Sequence, residues 1–221
     1  MHPGQNKERG HQETGVQQLT AQEDSGLRLQ VIRVCRQLYN KGLIAAADGN
    51  VSVRLSGGDI LITPSGMHKG FLNEADLIVV DSEGHVLNGP GRPSSEIVMH
   101  MAIYRQDPDA RAVVHTHPPW TLALNLSGNQ LLPHLLIEGR MFLGEVAVVP
   151  FERPGTDALA HAVVDALCKG PVQILAHHGA ITRGPTLWRA FELMECLEHA
   201  ARITALAKML GEPALLPGGK V

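Results

Sequence analysis

The chain has 221 residues, of which 44% are hydrophobic and 19% charged, with a net charge of −3. That length fits one large domain or two small ones, with enough apolar content for a sizeable core. The mild charge offers nucleic acid or an anionic membrane surface no electrostatic handle, and no apolar run approaches the roughly 18 residues of a membrane helix.

Residues 1–23 are polar, carry almost no large apolar side chain and lack a signal-peptide core, so a mobile arm is expected there. Leu27, Val31, Val34 and Leu38 recur at helical spacing, which predicts a helix from about Asp24 to Asn40. Gly42 stands where a helix end favours φ > 0. The small residues Ala45 to Asn50 make a turn. Val51–Leu55 and Asp59–Thr63 then read as a hairpin through Gly57-Gly58. The second strand runs into Pro64-Ser65-Gly66, a tight turn with a hydroxyl and a glycine amide. Leu77–Val80 is a further strand, turning at Glu83-Gly84.

A helix follows in which Ile97, Met101 and Tyr104 share one face, with Ser94 as its expected N-cap and Glu96 in its first turn. Hydroxyls and free amides at such a start form a ready anion site. Next comes the most informative stretch, Ala112-Val113-Val114-His115-Thr116-His117 before Pro118-Pro119. Side chains two apart in a strand point the same way, so His115 and His117 offer two imidazoles on one face. Neutral imidazole is a common Zn²⁺ ligand. A third ligand is expected from a second apolar run that also ends in histidines, Ile174-Leu175-Ala176-His177-His178-Gly179. Glu96 is the one carboxylate just upstream of the first histidine strand.

A short helix is expected over Trp120–Leu126, a strand over Val146–Pro150 and a helix over Ala158–Leu167. A hairpin partner follows at Ala180–Arg183. The last helix is expected from about Thr186 to Leu210, with Phe191, Met194, Leu197 and Ala201 on its apolar face. Cys35, Cys168 and Cys196 are widely spaced in apolar segments, which predicts reduced core residues of a cytoplasmic protein. His2, His11, His85, His161 and His199 are expected to be solvated. Hairpins mixed with helices imply an α/β fold, a mixed sheet covered on both faces. No internal linker breaks residues 24–211, so the chain divides into an arm (1–23), one domain (24–211) and a loose tail (212–221).

Five motifs in order resemble the class II aldolase/adducin family, its fuculose-phosphate aldolase branch in particular. They are Gly49-Asn50-Val51-Ser52-Val53-Arg54, Thr63-Pro64-Ser65-Gly66, Pro93-Ser94-Ser95-Glu96, His115-Thr116-His117 and His177-His178-Gly179. The resemblance spans roughly residues 27–210. It implies a three-layer α/β/α sandwich with a central mixed, largely antiparallel sheet, in a cytoplasmic homotetramer with active sites between subunits. It implies one Zn²⁺ per subunit held by His115, His117 and His178, with Glu96 as acid/base and as a fourth ligand when no substrate is bound. Mn²⁺ and Co²⁺ also suit such a site, although three imidazoles favour Zn²⁺. A substrate phosphate would sit among Gly49, Asn50, Ser65, Gly66, Ser94 and Ser95. The implied reaction cleaves a ketose 1-phosphate to dihydroxyacetone phosphate and an aldehyde through an enediolate. A dehydratase, a 4-epimerase and a non-catalytic adducin-like module remain alternatives.

Two departures stand out. The family tyrosine expected after the H-x-H strand is absent, since the chain has only Tyr39 and Tyr104. His134, Glu138 or Arg140 would have to substitute for it. Met67-His68-Lys69-Gly70 also departs from the aldolase pattern and resembles the family's methylthioribulose-1-phosphate dehydratases; Lys69 is expected to be solvated.

Overall fold

The computed structural model describes residues 24–217. The arm expected over residues 1–23 and the end of the tail, 218–221, lie outside the described residues. Helix α1 covers residues 24–40 and stops at Gly42, whose φ of 69° is the left-handed conformation that ends helices at little cost for glycine. Strands β1 (Asn50–Arg54), β2 (Ile60–Ile62), β3 (Ile78–Val80) and β4 (Val86–Asn88) follow. Then come α2 (Ile97–Gln106), β5 (Ala112–Thr116), α3 (Pro119–Leu126), α4 (Ile137–Phe142) and β6 (Ala147–Val149). The chain continues through α5 (Asp157–Asp165), β7 (Val172–Leu175), β8 (Gly179–Gly184) and α6 (Leu187–Leu210).

Among the described residues, eight strands form one sheet in the order β4-β3-β2-β1-β5-β8-β7-β6. Only β6 and β7 are parallel; every other neighbouring pair is antiparallel. Alternation along the strands sorts the core into two layers. Val51, Val53, Ala112, Val114, Val172 and Ile174 pack with α1 and α6 on one face. Ile60, Ile62, Val113, Leu175 and Ile181 pack with α2 and α5 on the other. The α/β/α sandwich expected from the motifs is the fold of this chain. Side chains such as Leu38, Leu61 and Met194 are fully excluded from water. Each contributes about 1.5–3 kcal/mol relative to exposure, whereas a half-exposed ion pair such as Lys41–Glu195 contributes about 0–1 kcal/mol. Burial therefore holds the layers together.

Several local expectations change. β4 is an exposed edge strand with no alternation to announce it. α4, and a 3₁₀ turn at Pro133–Leu135, structure a region that carries no clear pattern. Helix α2 begins at Ile97, later than a Ser94 cap implies; Ser94 Oγ instead accepts the Glu96 amide at 3.3 Å. Cys35 is buried, but Cys168 is exposed and so is no core residue; the three cysteines are free thiols. Lys69 is buried rather than solvated, and its Nζ donates to the carbonyls of Ala47 and Met67, both at 2.9 Å. Those two bonds tie the turn before β1 to the segment after Ser65-Gly66. Residues 212–217 carry no helix or strand, and Leu216 N donates to His134 O.

Candidate metal centre

Sheet register brings the motif ends together. Asn50 of β1 pairs with His115 of β5, and Thr116 pairs with Ala180 of β8. The β7–β8 connection is a turn closed by His178 N donating to Leu175 O. His177 occupies it with φ 59°, exposed, its ring edge-on to Phe151. His178 is thereby turned toward the end of β5. His115, His117 and His178 each offer a ring nitrogen within 4.8 Å of the others.

Glu96, at the start of α2, lies against this cluster. Its Oε2 is 3.1 Å from His115 Nε2, and its Oε1 is 3.3 Å from His178 Nε2. His115 Nδ1 lies 2.9 Å from the carbonyl of Ala180, which only accepts. A neutral His115 therefore carries its proton on Nδ1 and turns the bare lone pair of Nε2 toward a carboxylate. Two acceptors at that distance need a cation between or beside them.

Burial raises the Glu96 pKa, but His115, His178 and the Asn50 amide outweigh it and hold the carboxyl well below its usual range. Burial, followed by the His115 charge, lowers His178 to about 4 and pushes His117 down as well. His117 Nδ1 faces Asp48 at 3.5 Å, the outer carboxylate that fixes a ligating imidazole in many metal sites. Within these four residues, His115 Nε2, His117 Nε2, His178 Nδ1 and Glu96 Oε1 are buried without a hydrogen-bond partner. A Cβ on Gly179 would stand 2.8 Å from the His117 ring and 3.0 Å from the His115 ring, so only glycine leaves this space open. Neutral imidazoles and one carboxylate are the donor set a divalent ion takes, so the residues fit a metal.

The six residues expected around a phosphate are partly gathered. Ser65 N donates to Arg92 O and Ser94 N to Thr63 O, which lays Ser65-Gly66 beside Ser94-Ser95. Ser65, Gly66 and Ser95 are exposed, whereas Ser94 is buried. Gly49 is buried with φ 67°, and a Cβ there would meet His115 O at 2.7 Å. Asn50 is buried and already engaged: its Nδ2 donates to Glu96 Oε2 at 2.9 Å, leaving one N–H. His134, Glu138 and Arg140 lie on segments packed against α6. A cavity of about 490 Å³, beside α3 and Leu215, includes none of the motif residues.

Sequence reasoning missed His100, Ser52 and Tyr104, which line up behind Asn50. Spacing held the signal. Glu96, His100 and Tyr104 recur every four residues, one face of a helix, and Asn50 and Ser52 are two apart, one face of a strand.

Comparison with known proteins shows relatives across most of the chain. The family model described as Class II Aldolase and Adducin N-terminal domain matches residues 29–205. A 3-oxo-tetronate 4-phosphate decarboxylase of Haemophilus influenzae is 33% identical over 177 residues, 78% of this chain and 84% of that protein. An L-fuculose phosphate aldolase of Methanococcus vannielii is 37% identical over 172 residues, 78% of this chain and 92% of its own length. The crystal structure of L-fuculose-1-phosphate aldolase from Thermus thermophilus superposes with a TM-score of 0.76 at 36% identity, covering 86% of this chain and 98% of that one.

Proposed function

The chain belongs to the class II aldolase and adducin family, and from that premise we propose a metal-dependent lyase that cleaves a ketose 1-phosphate to dihydroxyacetone phosphate and an aldehyde. The observation that carries this reading is the meeting of three imidazoles with the Glu96 carboxylate. His115, His117 and His178 would hold the ion, with Glu96 as a fourth ligand before substrate binds. Zn²⁺ suits three imidazoles best, with Mn²⁺ or Co²⁺ as alternatives. When bound, such an ion supplies Lewis-acid stabilisation of negative charge on substrate oxygens.

The chain's own groups do the rest. Cleavage breaks the bond between the third and fourth carbons. The fourth-carbon hydroxyl loses its proton as the aldehyde forms, and the third carbon gains one. Glu96 is aimed to move the proton at carbon, a role worth about 10²–10⁴-fold. Gly49, Asn50, Ser65, Gly66, Ser94 and Ser95 would take the phosphate through amides and hydroxyls. That remote group holds the reacting carbons in place. Family membership also leads us to a cytoplasmic homotetramer, which light scattering checks.

One observation favours a second reading, decarboxylation of a phosphorylated 3-oxo sugar acid, the activity for which the Haemophilus relative is named. Neither tyrosine is available to serve an aldehyde oxygen. Tyr104 is buried in the hydrogen bonds behind Asn50, and Tyr39 packs with His68 and Phe71. Loss of carbon dioxide needs no such partner. Purified protein with added Zn²⁺ should therefore be given L-fuculose 1-phosphate, reading dihydroxyacetone phosphate, and 3-oxo-tetronate 4-phosphate, reading carbon dioxide. Product from the first, abolished by chelator, is expected. Product from the second alone selects decarboxylation. Methylthioribulose 1-phosphate turnover alone would point to the dehydratase, and no bound metal with no turnover to a non-catalytic module.

A further inference from the structure

Behind Glu96 runs a line of polar side chains with no access to water. Asn50 Nδ2 meets Glu96 Oε2 at 2.9 Å. Asn50 Oδ1 meets His100 Nε2. His100 Nδ1 meets Ser52 Oγ at 2.7 Å, and Ser52 Oγ meets Tyr104 OH at 2.8 Å. Ser52 and His100 are wholly buried; Asn50 and Tyr104 are each 3% exposed.

The donors and acceptors are fixed by the charge at one end. An ionised carboxylate only accepts, so the Asn50 amide must present N–H to Glu96 and its carbonyl to His100. His100 Nε2 must then carry the proton. His100 is wholly buried with only Asn50 and Ser52 against its ring nitrogens, and burial disfavours a charged ring, so Nδ1 is bare. Ser52 must donate to Nδ1, and Tyr104 must donate to Ser52. Every hydrogen in the line points toward Glu96. Chains polarised in one direction strengthen each link.

We propose that His100 is a positioning residue for Glu96: its Nε2–H locks the Asn50 carboxamide in the orientation that anchors Glu96 Oε2 and leaves Oε1 free to take a proton. The assignment rests on the reading of Glu96 as the proton-moving group. It explains why a histidine lies fully buried among apolar residues of α2 without touching the cation cluster. Without that N–H, Asn50 can rotate and set its carbonyl against a carboxylate. Glu96 would then lose its anchor while the three imidazoles stay in place.

The test has two arms. In the first, long-range proton–nitrogen NMR on the full chain with ¹⁵N-histidine reads the His100 tautomer, assigned by the signal lost in His100→Gln. The Nε2–H form is expected; an Nδ1–H or doubly protonated ring at neutral pH would overturn the proposal. This arm needs neither substrate nor a destabilised variant. In the second, His100→Leu is expected to lower kcat by about 10–100-fold at unchanged KM and metal content, the usual cost of losing an outer partner. His100→Gln, which keeps an N–H at the Nε2 position, should return to within about threefold of the unaltered chain. Equal loss in both variants, or none in His100→Leu, would also overturn it. If the unaltered chain turns over no phosphorylated sugar, the lyase reading fails, and the tautomer still decides the orientation of Asn50.

Discussion

Glu96 divides its work between two oxygens. Oε2 is pinned by the Asn50 amide, while Oε1 is buried without a hydrogen-bond partner. Replacing the carboxylate by an amide would remove the proposed base and keep the shape. Glu96→Gln should therefore retain metal, measured by elemental analysis, while turnover falls about 10²–10⁴-fold. Gly179 makes a steric prediction of its own. A methyl there would stand 2.4 Å from Thr116 O as well as close to two rings, so Gly179→Ala should abolish metal uptake in a calorimetric titration. His100 predicts a pH dependence. Its ordinary value of 6.5 falls to about 3 on folding, so between those values the unfolded chain binds the proton and the folded chain does not. Stability must then fall as pH drops from about 6.5 toward 3. Denaturant midpoints should fall less steeply over that range for His100→Gln. Much of this site was legible in the sequence, because metal ligands on strands obey a period of two and sit beside glycine and proline stops. His100 was not, because a single histidine in an apolar helix carries no mark until the facing strand is known.

Elements with strong periodicity matched the sequence closely. α1 and α6 bury Val31, Val34 and Leu38, and Phe191, Met194 and Leu197, as their spacing requires. Thr186 Oγ1 accepts the Arg189 amide and caps α6. β4 and α4 escaped notice, since a three-residue exposed edge and a six-residue helix are held by their neighbours rather than by their own pattern. α3 illustrates another unreadable device. Its Pro118 cap position has no side-chain acceptor, and Glu198 of α6 serves instead. That carboxylate accepts the Trp120 amide at 2.8 Å and the Thr121 amide and hydroxyl, both at 2.9 Å. A cap supplied from a residue so far along the chain leaves no local signature. Glu198→Ala should cost about 0.5–2 kcal/mol in denaturant unfolding, the range for a lost helix cap. Glu198→Gln, which keeps one acceptor, should cost less.

At the level of the whole molecule, the candidate ligands come from the end of β5 and the β7–β8 turn, with the carboxylate from α2. These meet only when β1, β5, β8 and β7 have paired, so the unfolded chain has no such site. A divalent ion that binds the folded state alone should stabilise it by about 2.7 kcal/mol at one hundred times its dissociation constant. Thermal unfolding should shift upward with added Zn²⁺ and return with chelator, and His178→Ala should remove most of the shift. The two neighbouring histidines of the β7–β8 turn show how little separates a candidate ligand from a bystander. They are identical in chemistry, and the left-handed backbone at His177 sends one ring outward and the next inward. Handedness at a single Cα, rather than the nature of the imidazole, thus selects which of the twins joins the imidazole cluster.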